Sequence, residues 1–265
     1  MGQDGGMVAT PMARRRQSSE GVTMTNHRDG VTGAPVWAEL VSYDHAASRA
    51  FYSRLFGWKA DAAGFALAKK RVAGLAKGGS YWRLYLRVTD VDAAAAAAAE
   101  AGGQSYSGPD LGDLGRSVLM TDPTGAEIGA LRPGSRPGFE IVDAVGAPVW
   151  HELHTDSFDR AVPFYETVLG WKPQVLGDDD SFRMSTLGAG RTAIAGIYDA
   201  SATLGRESSR WEHYFSVANA DASAALVVEL GGSVLDGPTD SPFGRVLHAV
   251  DSRGAHLSLI QTPER

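Results

Sequence analysis

Three short stretches in the C-terminal half of this 265-residue chain place acid–base side chains two residues apart, at the spacing of neighbours on one strand face. They are Glu152 and His154, Glu212 and Tyr214, and His256 and Ser258. A half-buried glutamate tuned upward beside a histidine that titrates near neutrality is a working pair for general acid–base catalysis. Glu152, His154, Glu212, His256 and Tyr214 are therefore the candidate catalytic residues. The N-terminal half offers a different set on the matching positions: Glu39, Arg83, Tyr85, Arg87 and Glu127. Ser258, the two tryptophans Trp37 and Trp150, and Glu39, Arg83 and Tyr85 are the candidate ligand contacts, since aromatic rings can stack on a flat molecule. A competing reading makes the tryptophans packing elements at a domain seam. It likewise makes Glu39 and Glu152 hydrogen-bonding groups at a domain contact, because catalysis does not require a residue to be duplicated.

The elements that must hold these residues occur twice. Gly33-Ala34-Pro35-Val36-Trp37 recurs as Gly146-Ala147-Pro148-Val149-Trp150, an offset of 113 that also relates Phe51-Tyr52 to Phe164-Tyr165 and Gly57-Trp58 to Gly170-Trp171. Beyond that the offset is 129, relating Trp82 to Trp211, Gly115-Arg116 to Gly244-Arg245, Asp122 to Asp251 and Gly125-Ala126 to Gly254-Ala255. The second copy thus carries 129 − 113 = 16 extra residues between Trp171 and Trp211. Fixed-period self-similarity signals a duplicated structural unit. The expected organisation is a disordered tail over 1–32, domain 1 over 33–132, a Pro/Gly-rich linker over 133–145 and domain 2 over 146–262.

Within copy one, strands are expected at 36–42, at 65–77, at 82–88, near 116–121 and at 126–131. Helices are expected from Asp44 to Phe56, stopped by Gly57, and along the alanine run 93–99. Copy two repeats this, with helices near 157–169 and 219–230. Strand alternation puts Leu84, Leu86, Leu257 and Leu259 on an apolar face toward the helices and the polar and aromatic candidates on the other, the wall of a binding cup. His151 and His213 fall on the helix side and are expected to be structural. Arg116 and Arg245 are expected to form structural ion pairs.

The order of these motifs resembles the vicinal-oxygen-chelate superfamily, which includes glyoxalases, bleomycin-resistance proteins and extradiol dioxygenases. It runs strand, polar-capped helix, Phe-Tyr, Gly-Trp, then an Asp-turn-Gly-Ala before a last strand, and it covers both copies. The tandem form with Pro-Val-Trp and Gly-Trp is most similar to an actinobacterial group described as glyoxalase-like or hydroxylase-like. The resemblance implies an α+β fold: two tandem domains, each of paired βαβββ modules forming a curved, cup-shaped mixed sheet with helices on the outer face.

It also implies positions for a divalent metal. In copy two these fall on Trp150, near Gly196, on Glu212 and on Ser258; in copy one on Trp37, near Gly74, on Arg83 and on Gly129. Tryptophan, glycine and arginine do not ligate such ions. The expectation is a protein with no metal and no cofactor that binds, and by acid–base residues in the domain 2 cup transforms, a small apolar or aromatic metabolite in natural-product tailoring or detoxification. Two alternatives stay open: a non-catalytic, drug-sequestering binder, and a metal-dependent lyase or dioxygenase with a displaced site on Glu152, Glu212 and His256.

Other classes find no support. A formal net charge of −6 gives no nucleic-acid footprint. No apolar run reaches the roughly 20 residues that span a bilayer. There is no cysteine for a disulfide, a thiolate site or a nucleophile. Nucleophile-elbow, phosphate-loop and dinucleotide fingerprints are missing. The expected partner is a small molecule, with a homodimer allowed and a cytoplasmic location expected.

Overall fold

A computed structural model describes residues 30–136, 138–179, 182–205 and 207–263. The expected disordered tail over 1–32 lies almost wholly outside the described residues.

Copy one runs β1 (Pro35–Ser42), α1 (His45–Phe56), β2 (Lys59–Asp61), β3 (Gly64–Leu67), β4 (Lys70–Lys77), β5 (Ser80–Arg87), α2 (Val91–Glu100), β6 (Gln104–Ser107), β7 (Gly115–Thr121) and β8 (Glu127–Pro133). Copy two runs β9 (Pro148–Thr155), α3 (Phe158–Leu169), β10 (Pro173–Asp179), β11 (Phe182–Leu187), β12 (Ala195–Asp199), β13 (Arg210–Ser216), α4 (Ala220–Glu229), β14 (Ser233–Ser241), β15 (Gly244–Val250) and β16 (His256–Gln261). Each copy forms an open sheet of eight strands, ordered β2-β3-β4-β1-β5-β8-β7-β6 and β10-β11-β12-β9-β13-β16-β15-β14. In each, the first strand of one βαβββ module pairs antiparallel with the first strand of the other, Glu39 opposite Arg83 and Glu152 opposite Glu212. The fold is α+β in two tandem domains.

The helices start where side chains can satisfy their first N–H groups. Asp44 Oδ1 accepts from Ala47 N, Asp90 Oδ1 from Asp92 N and Ala93 N, and Asn219 Oδ1 from Ala222 N. α1 and α3 stop at Gly57 and Gly170, both in the left-handed region that glycine enters without a Cβ penalty. Arg116 clamps Asp92 in the first turn of α2, and Arg245 clamps Asp221 in the first turn of α4, as expected of structural ion pairs.

The sixteen extra residues of copy two are divided. Gly196 pairs with Glu152 as Gly74 pairs with Glu39, an offset of 196 − 74 = 122. Nine residues therefore enlarge the arm around β10 and β11, and seven lengthen the connection from β12 to β13.

One continuous apolar core runs through both copies. The repeated motifs build its centre. Tyr52 donates to Asp251 and Tyr165 donates to Asp122, each at 3.0 Å across the seam. Trp58 Nε1 donates to the Gly146 carbonyl, and Trp171 Nε1 to the Gly33 carbonyl. Trp82 and Trp211 donate in turn to the two tyrosine hydroxyls. Phe56, Trp58 and Trp82 of copy one meet Phe215 of copy two at ring distances of 5.1–5.7 Å. The Phe-Tyr, Gly-Trp and Asp-turn signatures are thus the reciprocal halves of a pseudo-two-fold interface. His151 and His213 lie on this side as expected, fully buried, with Nδ1 atoms 3.0 Å apart.

Candidate active site in the second cup

Odd and even residues of each central strand separate cleanly. His151, Leu153, Trp211, His213, Phe215, Leu257 and Leu259 turn to the seam, so Trp150, Glu152, His154, Glu212, Tyr214, His256 and Ser258 fall on the opposite face. The sheet brings the candidates into two linked clusters.

Glu152 is the centre of the first. Its Oε1 accepts from Tyr214 OH at 2.6 Å and from His154 Nε2 at 2.8 Å, and its Oε2 accepts from Trp150 Nε1 at 2.8 Å. Burial alone would raise its carboxyl, but the hydrogen bonds from His154, Tyr214 and Trp150 pull it below the usual carboxylate range. His154 responds in the opposite sense: burial disfavours its cation, yet the Glu152 bond and the Glu212 charge outweigh burial and raise it. Tyr214 is pushed well up by burial beside Glu152 and Glu212, so it is a proton donor and not a phenolate.

Glu212 is the centre of the second cluster. Arg210 Nε donates to Oε1 at 2.9 Å and Ser258 Oγ to Oε2 at 3.3 Å, while His256 Nδ1 stands 4.0 Å off. Burial would raise Glu212, but the neighbouring His154, Arg210 and His248 hold it low and ionised. His256 is held below its ordinary value by burial and by Arg210. His248 completes this cluster, with Nδ1 2.8 Å from Ser258 Oγ. Sequence reasoning missed it, because its copy-one counterpart is Leu119 and no motif flanks it. Its placement opposite Ser258 in the β15–β16 pairing was the signal that could have found it.

The first cup repeats the glutamate–tyrosine pair but sets Arg83 opposite the glutamate where the second has Glu212. Tyr85 OH donates to Glu39 at 2.7 Å, and burial raises the Glu39 carboxyl. Arg83 binds Glu127 at 2.7 Å and stands 3.8 Å from Glu39. Trp37 and Tyr85 pack with Leu111 and Leu114 from the turn before β7 and with Phe139 from the linker. The linker is pinned there by Phe139 N to the Val36 carbonyl and Glu140 N to the Arg71 carbonyl. Trp37 and Tyr85 are 1% and 0% exposed and pack inside domain 1. Glu39 and Glu152 make their hydrogen bonds within their own domains and not across the seam. Trp150 is partly exposed in the second cup. The seam tryptophans are Trp58, Trp82, Trp171 and Trp211, not Trp37 and Trp150.

Comparison with known proteins places this architecture. Residues 34–131 match the family described as Glyoxalase-like domain, and residues 148–262 match the Glyoxalase/Bleomycin resistance protein/Dioxygenase superfamily. The chain belongs to that superfamily. It is similar to the putative glyoxylase CFP32 of Mycobacterium tuberculosis, 32% identical over 249 residues, 86% of this chain and 95% of that protein. It is equally similar to the anthracycline biosynthesis protein DnrV of Streptomyces peucetius, 32% identical over 265 residues, 88% of this chain and 94% of the other. Among solved structures it shares its fold with the 2,3-dioxygenase LapB from Pseudomonas sp. KL28, at a TM-score of 0.61, 14% identity and coverage of 88% and 94%. It likewise shares it with the Mn(II)-bound glyoxalase from Novosphingobium aromaticivorans, at 0.57, 20%, 88% and 83%.

The Mn(II)-bound glyoxalase raises the question of a divalent ion, and the second cup fits one poorly. Both oxygens of Glu152 already accept from protein donors, and Glu212 carries a guanidinium at 2.9 Å. The superfamily ligand position at Gly196 has no side chain to donate, and a Cβ there would meet Met184 Cε at 2.4 Å and Trp150 Cζ2 at 3.0 Å. Among the described residues, no group of three or more His, Asp or Glu is arranged to hold a metal ion.

Proposed function

We propose that the second cup binds a small, largely apolar or aromatic metabolite and transforms it with acid–base residues, without a metal ion. The observation that carries this reading is the contrast between the cups. The shared glutamate–tyrosine pair is equally buried in both domains, with the Glu39 and Glu152 side chains 11% and 12% exposed, but in the first domain it stands beside Arg83, which is paired with Glu127. In the second it is joined by His154 and backed by Glu212 and His256, with side-chain exposures of 13% for His154 and 30% for His256. An acid and a base whose surroundings push their proton affinities apart are the usual equipment of a proton-transfer site. Tyr198 lies 5.4 Å from His154, and Phe182, at the exposed β10–β11 arm, lies 6.0 Å from Tyr198, an aromatic wall suited to a flat ligand. The name of the Streptomyces peucetius relative supports a polycyclic aromatic natural product as the ligand class.

A test is to incubate the purified protein with a panel of hydroxylated anthraquinones and glycosylated anthracyclines. Binding is followed by quenching of tryptophan fluorescence and turnover by mass spectrometry. Saturable quenching with product formation is the expected result. Binding that Glu152→Gln weakens, with no product from any compound, favours the second reading, a sequestering protein, to which the bleomycin-resistance members of the superfamily lend support.

A further inference from the structure

We propose that His248 is the proton-accepting catalytic residue of the second cup, fixed in one tautomer by Glu212 through the hydroxyl of Ser258, for a flat substrate bearing an acidic phenol or a C–H beside a carbonyl. This inference rests on the reading of the second cup as the working site.

Hydrogen-bond direction supplies the tautomer. Ser258 Oγ lies 2.8 Å from His248 Nδ1 and 3.3 Å from Glu212 Oε2. In the proposed relay the single hydroxyl proton of Ser258 goes to Glu212, an ionised carboxylate that only accepts, with Tyr214 the other group bonded to that hydroxyl. The serine oxygen must then accept from His248, which puts the imidazole proton on Nδ1 and leaves the lone pair on Nε2. Ser258 is 0% exposed, so water does not compete for either bond. Arg210, bonded to Glu212 at 2.9 Å, keeps that carboxylate ionised.

The charges facing His248 come from three strands: Glu212 on β13, His154 and Glu152 on β9, and Asp236 on β14. Burial and the His154 cation outweigh the attraction of the three carboxylates and hold His248 below its ordinary value, neutral at neutral pH. A neutral imidazole with a committed Nδ1–H is a base ready to work at Nε2.

The substrate class follows from what surrounds that ring. His248 lies 6.0 Å from the Tyr214 ring and 6.3 Å from the His154 ring, and the aromatic wall of Tyr198 and Phe182 continues outward from His154. An O–H or C–H bond of the ligand breaks, its electron pair stays on the ligand as phenolate or enolate, and the proton goes to Nε2. The imidazolium so formed is stabilised by Glu212 across Ser258. Return of the proton to another atom of the same ligand completes a tautomerisation that needs no oxidant or co-reactant. In the first domain the relay positions hold Arg83, Gly129 and Leu119, so the fold does not require these residues.

Two measurements test this. Long-range ¹H–¹⁵N correlation of the histidine rings in the full chain should show His248 with its proton on Nδ1, and Ser258→Ala should convert it to a mixture. A proton on Nε2 in the unaltered protein overturns the relay whether or not any ligand binds. The second follows hydrogen exchange in D2O, by NMR, at the C–H beside the carbonyl of an aromatic ketone, 2-tetralone. The unaltered protein should speed that exchange over buffer by about 10²-fold or more, the usual contribution of a positioned base. His248→Ala should lose the acceleration while the ketone still quenches tryptophan fluorescence. Full acceleration in His248→Ala overturns the assignment of the base. A ketone that binds neither protein counts against the aromatic-ligand reading of the cup, while the ring tautomer still decides the relay.

Discussion

Tyr165 of the second domain donates a hydrogen bond to Asp122 of the first at 3.0 Å, and Tyr52 of the first returns it to Asp251 of the second. The acceptors are the aspartates that organise the turns before β8 and β16. Asp122 Oδ1 also takes Thr124 N, Thr124 Oγ1 and Ala126 N, and Asp251 Oδ1 takes Arg253 N and Ala255 N. Each tyrosine therefore joins a helix of one copy to a turn of the other. The two domains are expected to unfold as one unit.

Tyr165→Phe leaves a buried carboxylate one donor short and Trp211 Nε1 without its acceptor, which costs about 1–3 kcal/mol per group left unsatisfied. Tyr52→Phe should cost a similar amount through Asp251 and Trp82. Urea unfolding should show a lowered midpoint for both variants and a single transition followed alike by tryptophan fluorescence and circular dichroism. Two separated transitions in the unaltered protein would show that the seam does not couple the domains.

Much of this fold was legible because a duplicated unit advertises itself. The offsets of 113 and 129 located both domains and the inserted residues before any coordinate was needed. Period-two alternation put Glu152, Glu212 and His256 on one face and His151 and His213 on the other. What alternation could not supply was the path of the linker. The covering of Trp37 by Phe139 depends on backbone bonds to Val36 and Arg71 that leave no mark in sequence. The use of Phe-Tyr and Gly-Trp as a seam is likewise a property of two copies meeting, invisible in either alone. His248 escaped notice for a related reason: a lone histidine in an apolar strand reads as core until its neighbour on the next strand is known.

The buried pair His151 and His213 predicts a pH dependence. Unfolded, His213 titrates near 6.5; folded, burial outweighs the nearby Glu212 charge and holds it down to about 4. Between those values the unfolded chain binds a proton that the folded chain refuses. This contribution to stability is therefore complete above pH 6.5, is lost as pH falls toward 4, and is gone below that, a change on the order of 1–3 kcal/mol. Replacing the pair by its copy-one counterparts, His151→Ala with His213→Leu, should flatten the unfolding midpoint between pH 6.5 and 4. An unchanged acid slope in the double variant would assign the loss to other groups.

Metal content is a separate expectation. The purified protein should carry far less than one equivalent of Fe, Mn, Ni or Zn, because Glu212 is committed to Arg210 and Ser258, and Gly196 supplies no donor. Elemental analysis checks this. Near one equivalent of metal, lost on Glu212→Ala, would establish the displaced site on Glu152, Glu212 and His256 instead.

The last prediction separates the two glutamates that the repeat makes equivalent. Glu39 and Glu152 both accept from a tyrosine, at 2.7 and 2.6 Å, and both oppose a charged residue across the central strand pair. They differ in what else they meet. Glu152 also holds His154 at 2.8 Å. Glu39 has Arg83 at 3.8 Å instead, and the two side chains are equally buried, at 12% and 11% exposed. If turnover resides in the second cup, Glu152→Gln should lower kcat by about 10²–10⁴-fold, the usual contribution of a positioned acid or base. It should also lower the unfolding midpoint, because glutamine has one acceptor oxygen and its NH2 must face Trp150 Nε1 or the Tyr214 and His154 donors. His256→Ala should also lower turnover, by an amount nearer the lower figure, since it stands 4.0 Å from Glu212 and does not touch Glu152. Glu39→Gln should leave turnover within about threefold and act on stability, where a buried glutamine replaces a carboxyl already raised by burial. Steady-state kinetics and unfolding curves on the three variants decide the matter. Equal loss of turnover from Glu39→Gln and Glu152→Gln, with the fold intact, would mean that both glutamates hold the architecture and that neither cup is privileged.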